Sequence, residues 1–336
     1  MGIRRSYRPA DCEALEERKV MSQGGLTALA SHHGAPPPVP FVGPVGSLGD
    51  SYSDEYRFYP PDRSTARNWI EILHATRGVA FGHYSLRSRG EPRNQGFADN
   101  WSRSDATSVD MVNNQLPGLT TQVAQGKVQY VSIFIGGNDF LHILDDAVAG
   151  KIAPAKLPAA VTATTATLEK NFVTAVSTIL AANPNVKVVV FNLPDISVIP
   201  VTQVAGATPL GKLLLQGVSQ AIQSYNKLIG AVAASNDRVA LLDLNAVTKQ
   251  AAGSPTGTLP FGGQTIVLRT PSDDYHSFFL ADGIHVGTIG QGIIAEEFAL
   301  AVDQKFGAQL FPPSPQEVVR YAVAIRKQAT AHPNHR

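Results

Sequence analysis

Apolar runs and helical stripes alternate along the chain, and that alternation sets the first expectation. Residues 128–135 (Val-Gln-Tyr-Val-Ser-Ile-Phe-Ile) and 186–191 (Val-Lys-Val-Val-Val-Phe) are rich in β-branched residues, and the first is ended by two glycines. They predict strands, the second continuous enough to be buried on both faces. A third strand is predicted over 238–244. A weaker first strand is predicted over 41–48, where Gly43, Pro44 and Gly46 interrupt the run. Trp69, Ile70, Ile72 and Leu73 form the apolar stripe of a helix over 66–76, with Ser64 or Asp62 as its cap. Further helices are expected over 107–123 (interrupted near Pro117), 140–148, 158–182, 211–234, 288–306 (capped at Thr288) and 312–327. Residues 78–98 read as a loop and 256–268 as a loop or hairpin insertion. Strands alternating with helices at this spacing predict an α/β fold, a parallel sheet covered on both faces.

In such sheets ligands bind outside the carboxyl ends of the strands. The Gly49-Asp50-Ser51 turn follows the first strand and Gly136-Gly137-Asn138-Asp139 follows the 128–135 strand, so both fall on one rim. Ser51 then stands at the mouth of the next element. A serine hydroxyl needs a base and a place for negative charge before it attacks anything. Asp282-Gly283-Ile284-His285 offers the base: a carboxylate three residues before an imidazole can fix its tautomer and stabilise its charged form. Asn138 offers an amide donor to an oxyanion. Each piece has a plainer reading, with Ser51 as an N-cap, Asp282 as a turn cap and Gly-Gly-Asn-Asp as turn chemistry. No Gly-x-Ser-x-Gly elbow occurs.

Composition narrows the partners. The 336 residues suffice for one large α/β domain or two small ones. A net charge of +1 with no clustered basic stripe argues against nucleic acid. The single cysteine, Cys12, excludes an internal disulfide framework and a cysteine zinc site. No apolar run approaches the roughly 18 residues of a membrane span. Residues 1–40 read as a disordered tail ending in the stiff Ala35-Pro36-Pro37-Pro38-Val39-Pro40 linker. Residues 41–310 read as the domain, and 311–336 as a helix and polar tail. Met1-Gly2-Ile3-Arg4-Arg5-Ser6 fits an N-myristoylation pattern and holds a twin arginine, with no apolar core after it. The tract Cys12 to Ser22 resembles a short amino-terminal segment of some large bacterial extracellular proteins, which implies an extracellular or cell-envelope location. Without it the chain reads as cytoplasmic.

Gly-Asp-Ser near the start, Gly-x-Asn-Asp after a middle strand and Asp-x-x-His near the end, in that order, resemble the SGNH (GDSL) hydrolase superfamily. Asn68-Trp69-Ile70-Glu71-Ile72-Leu73 and Asn192-Leu193-Pro194-Asp195 are similar to two further family segments. The resemblance spans about residues 41–310. It implies a flavodoxin-like three-layer α/β/α sandwich on a mainly parallel five-stranded sheet. It implies Ser51 as nucleophile, His285 as base and Asp282 as orienter, with Ser51, Asp105 and Asn138 forming the oxyanion hole. Gly49, Asp50, Gly137 and Asp139 would support them. No metal or organic cofactor is implied. The substrate would be a small-molecule, lipid or acetylated-glycan ester, its pocket shaped by loops such as 87–100 and 253–263. Two alternatives stay open: a non-catalytic carbohydrate- or surface-binding module, or an acyltransferase using the same triad.

One block departs from the family. Where its members usually read Asn-x-Ala-x-Ser-Gly-Ala-Thr, this chain reads Asn100-Trp101-Ser102-Arg103-Ser104-Asp105-Ala106-Thr107. Asp105 replaces a glycine whose N–H donates to the oxyanion. Its own N–H can still donate, but a carboxylate facing the oxyanion would repel it, unless it points away or contacts Arg103. The sequence-based expectation is that Asp105→Gly raises turnover. Unchanged or lower turnover would show that the aspartate is well accommodated.

Overall fold

A computed structural model describes residues 43–59, 63–87 and 95–331. The expectations for residues 1–40, for Asp62 and for the end beyond 331 lie outside these. Four parallel strands form the central sheet in the order β1 (Val45–Gly49), β2 (Tyr130–Phe134), β3 (Lys187–Phe191) and β4 (Val239–Leu242). The register pairs Val45 with Tyr130 and Gly49 with Phe134, so the first two strands end side by side. Burial of every residue of β1 and β2 fits a sheet covered on both faces.

The expected fifth strand is absent among the described residues. Its place beside β1 is filled by irregular backbone. Val45 N–H donates to Ala80 O (2.8 Å), Ser47 N–H to Asp99 O (3.0 Å) and Trp101 N–H to Ser47 O (2.9 Å). Two separate segments share the hydrogen-bonding edge of β1, and neither runs along it far enough to become a strand.

On one face lie α1 (Trp69–Arg77), α7 (Thr288–Phe306) and α8 (Pro315–Ala331). Trp69 packs against Phe191 of β3 and Phe298 of α7 at centroid distances of 5.5 and 4.9 Å. On the other lie α2 (Leu116–Ala124), α3 (Gly137–Val148), α4 (Leu157–Ala182) and α5 (Pro209–Ala234). Between β4 and α7 come α6 (Leu244–Ala252) and an antiparallel hairpin of β5 (Thr258–Phe261) and β6 (Gln264–Val267). This is the three-layer α/β/α architecture.

Several helix ends differ from the sequence-based expectation, each for a local reason. The cap of α1 is Asn68, not Ser64. Its side chain accepts from Glu71 N–H while Glu71 accepts from Asn68 N–H. Gly287 precedes α7, and the Thr288 hydroxyl instead accepts from Arg67 N–H (3.1 Å). The helix over 107–123 divides into a turn at Ser108–Asp110, a π-helical stretch at Met111–Gln115, and α2. Pro117 has no N–H, and its ring would crowd the carbonyl four residues back. The chain widens ahead of it, with Leu116 N–H donating to Met111 O. That turn delivers the buried Gln115 side chain to β1, where it accepts from Gly49 N–H and donates to Gly49 O, both at 2.9 Å.

Glu55 is fully buried and accepts from Phe97 N–H (2.8 Å). Burial pushes its carboxyl up from 4.5 to about 7; the Phe97 amide opposes that push and the nearby Glu71 charge adds to it. Between those pH values the folded chain keeps a proton that the unfolded chain releases. Stability from this group is therefore fully present below about 4.5 and lost as pH rises toward 7. Glu55→Gln imitates the protonated acid. The Tm of the variant relative to wild type is expected to climb between pH 5 and pH 8, as read by thermal melts. A constant offset would assign the titration elsewhere.

Candidate active site

Sequence-predicted site residues converge at the carboxyl ends of β1 and β2. Beyond β1 the chain turns at once: Ser53 and Asp54 N–H both donate to Asp50 O (3.1 Å), and Tyr52 N–H donates to the Asp50 side chain (3.0 Å). The turn begins at Gly49 because no side chain fits there. A Cβ on Gly49 would lie 2.6 Å from Phe134 O. Ser51 emerges largely buried, its hydroxyl 2.7 Å from His285 Nε2.

The loop before α7 brings the partners. Asp282 Oδ1 accepts from the N–H groups of Ile284 (2.8 Å) and His285 (2.9 Å), while Oδ2 stands 2.6 Å from His285 Nδ1. Gly283 makes this tight wrap possible with φ +68°. Burial works against ionisation of Asp282, but the His285 ring and the two amides outweigh it and hold the carboxyl below its usual range. An ionised Asp282 only accepts, so Nδ1 carries the imidazole proton. Nε2 is then free to accept from the Ser51 hydroxyl. The rings of Tyr52 and Tyr56 flank the imidazole at centroid distances of 5.8 and 5.9 Å. Tyr52 Oη donates to Ile284 O (2.7 Å), tying the Ser51 turn to the His285 loop.

Asp50 has the opposite electrostatics. Burial pushes its carboxyl up to about 7, with the Tyr52 amide opposing and the Asp139 charge adding to the push. Asp139 accepts from Ser108 N–H (2.9 Å) and the Ser108 hydroxyl (2.6 Å), so it anchors the 105–108 segment to α3. Gly136, at φ +122°, makes the bend from β2 into α3, and a Cβ added at the following Gly137 would meet Asp50 Oδ2 at 3.7 Å. Asn138 lines the same cavity as Ser51, and its Nδ2 donates to Ala106 O (3.0 Å).

Asp105 adopts φ +67°, the conformation in which glycine is at ease. Its carboxylate is 79% exposed and meets His142 Nε2 at 2.9 Å. It therefore faces solvent and α3 instead of Arg103, the contact considered from sequence. The segment is held elsewhere by Ser104 N–H donating to Asp54 (2.8 Å) and by Arg103 N–H donating to Gly49 O (3.1 Å).

Sequence reasoning missed Arg63. Only 5% exposed, its Nη2 donates to Ser104 Oγ (2.7 Å), its guanidinium lies 4.0 Å from the Tyr59 ring centroid, and Nη1 stands 3.4 Å from both Ser51 O and His285 Nε2. No periodicity or spacing marks it. It comes from a short connection before α1 and becomes meaningful only through contacts 41 and 222 residues away. The cavity walls were also misplaced: the lining includes Leu193, Ile196 and Ile222 and draws nothing from 253–263. Among the described residues, no group of three or more His, Cys, Asp or Glu could hold a metal ion, and no helix is long and apolar enough to cross a membrane.

Fold and family match together support an ester hydrolase of the three-layer α/β class. The GDSL-like lipase/acylhydrolase family matches residues 45–298, and the chain belongs to that family. No curated protein matches the chain. Similar solved structures include phospholipase A1 from Streptomyces albidoflavus, 22% identical with TM-score 0.45, covering 74% of this chain and 97% of that one. An extracellular lipase from Streptomyces rimosus is 19% identical with TM-score 0.45, covering 76% of this chain and 100% of that one. A family 3 carbohydrate esterase from Talaromyces cellulolyticus is 18% identical with TM-score 0.39, covering 78% and 97%.

Three substitutions test this geometry. Arg63→Ala is expected to lower unfolding free energy by about 1.5–3 kcal/mol in urea titrations, the scale of a charge-assisted hydrogen bond. Arg63→Lys is expected to recover less than half of that, because an ammonium lacks the planar fork. With its carboxylate turned outward, Asp105→Gly is expected to leave kcat within about threefold, which is under 1 kcal/mol of barrier. A larger gain would restore the repulsion anticipated from sequence.

Proposed function

We propose that the chain hydrolyses carboxylic esters through an acyl-enzyme, with Ser51 as nucleophile, His285 as general base and Asp282 as its orienter. The observation that carries this reading is the unbroken series from Ser51 Oγ through His285 to Asp282 at 2.7 and 2.6 Å. Ser51 Oγ attacks the ester carbonyl carbon as its proton passes to His285 Nε2. Asp282 stabilises the resulting imidazolium. Negative charge gathers on the former carbonyl oxygen, where the N–H groups of Ser51 and Asp105 and the Asn138 amide are the donors of this reading. The C–O bond then breaks, and Nε2 returns the proton to the leaving alcohol. Water repeats the sequence on the acyl-enzyme, releasing the acid and restoring Ser51. The outward carboxylate of Asp105 is compatible with this role, since only its backbone N–H is required. Asp50 and Asp139 act indirectly, by shaping the Ser51 turn and holding the 105–108 segment on α3.

Hydrolysis of p-nitrophenyl acetate is expected from wild type and to be lost in Ser51→Ala. A fluorophosphonate probe should label wild type at Ser51. Asp282→Asn is expected to lower kcat by several orders of magnitude with little change in folding, since an amide no longer enforces the tautomer. Equal rates from wild type and Ser51→Ala would remove Ser51 from the chemistry.

A further inference from the structure

In the proposed mechanism one nitrogen, His285 Nε2, both takes the Ser51 proton and returns a proton to the departing alcohol. Arg63 brings a permanent positive charge to that atom. The residue is 5% exposed, and its Nη1 stands 3.4 Å from Nε2. Among the described residues no carboxylate forms an ion pair with it. Its contacts are neutral: Nη2 donates to Ser104 Oγ at 2.7 Å, and the guanidinium carbon lies 4.0 and 5.4 Å from the ring centroids of Tyr59 and Tyr56. A buried cation is ordinarily paired with an anion or saturated with acceptors.

Nη1 is neither. Its backbone neighbour, Ser51 O, is at 3.4 Å, beyond the roughly 2.7–3.2 Å of a good N–H···O bond. Nε2 has a single lone pair, and the Ser51 hydroxyl at 2.7 Å already claims it. The N–H groups of Nη1 therefore lack an acceptor at normal distance. An oxygen that comes within hydrogen-bond reach of Nε2 to collect its proton also comes within reach of Nη1. The cavity beside Ser51 takes Asn138 and apolar side chains into its lining and neither Arg63 nor His285, which leaves Arg63 to the alcohol half of an ester.

Resting on the ester-hydrolase reading, we propose that Arg63 is a catalytic residue for that half: its Nη1 donates a hydrogen bond to the alkoxy oxygen of the ester as the C–O bond breaks. The bonding pair moves onto that oxygen, the proton on Nε2 passes to it, and Arg63 keeps its own protons throughout. Like charge 3.4 Å away adds to the drive for the proton to leave Nε2. The same repulsion opposes the first transfer, from Ser51. The arrangement therefore favours alcohols that are poor leaving groups and gains little for good ones. It directs the site to alkyl esters, whose alkoxide cannot depart without a proton.

The test compares two esters of the same acid on the full chain: ethyl acetate, with an alkoxide leaving group, and p-nitrophenyl acetate, with a stable phenolate. kcat/KM is read per active site, titrated with a fluorophosphonate, so loss of folded protein does not enter. Arg63→Ala is expected to lower kcat/KM about 100-fold for ethyl acetate, the scale of one lost donor to developing oxygen charge. For p-nitrophenyl acetate the loss should stay within about threefold, because that phenolate leaves unprotonated. Ser104→Ala removes only the Nη2 contact and is expected to leave the ratio of the two rates unchanged. Arg63→Lys serves if Arg63→Ala does not fold: a compact ammonium cannot hold Ser104 and reach the alkoxy oxygen together, so the ratio should fall about tenfold. A wild type that cleaves p-nitrophenyl acetate alone, equal losses on both esters, or an unchanged ratio in whichever variant folds would overturn the assignment while Ser51 is still labelled. Failure to cleave either ester together with an unlabelled Ser51 would remove the hydrolase reading and this inference with it.

Discussion

The rim depends on how closely β1 ends against β2. At Gly49 the neighbouring carbonyl of Phe134 leaves no room for even one carbon. Both polar backbone groups of Gly49 are taken up by a side-chain amide, Gln115, offered by the π-helical turn. Arg103 N–H adds a second donor to Gly49 O. With its last residue fixed on three sides, β1 releases the chain at one point and in one direction. Ser51 therefore arrives where the loop before α7 can meet it. Under the proposed function such placement tolerates little slack, because small misplacements of reacting groups cost large factors in rate.

Two carboxylates within the same rim are pushed apart in character by their surroundings. Asp282 accepts two amides and an imidazole, which overcome the cost of burial and keep it charged. Asp50, two chain positions before Tyr52, is buried with fewer compensating donors and near a second carboxylate, so the neutral acid is favoured up to about neutral pH. The sequence motif presents both simply as aspartates beside a serine or a histidine. Hydrogen bonds delivered by the fold decide which one holds its charge.

Legibility followed range. Strands β2 and β3, the long helices and the hairpin are encoded in contiguous residues, and their positions could be read within a residue or two at most ends. Ser51, Asn138, Asp282 and His285 were legible because each sits in a short motif whose glycines and acids are local. The rule that parallel strands share a carboxyl rim put Ser51 and Asn138 together, and the family resemblance added Asp282 and His285. Arg63 and Gln115 escaped because their partners lie 41, 66 and 222 residues away. Ile222 escaped as well, since in a long amphipathic helix a cavity-lining isoleucine looks like any core isoleucine. The missing fifth strand is the same lesson in backbone form: hydrogen bonds shared between two irregular segments leave no periodic trace.

That shared edge bears on association. A bare outer strand offers an unpaired row of N–H and C=O groups to which another chain can add. On β1 the groups of Val45, Ser47 and Gly49 already bond to Ala80, Asp99, Trp101, Arg103 and Gln115. This flank is thereby closed to strand-by-strand recruitment of a second copy, and the Ser51 turn that grows from it is shielded from aggregation without a regular strand to cover it.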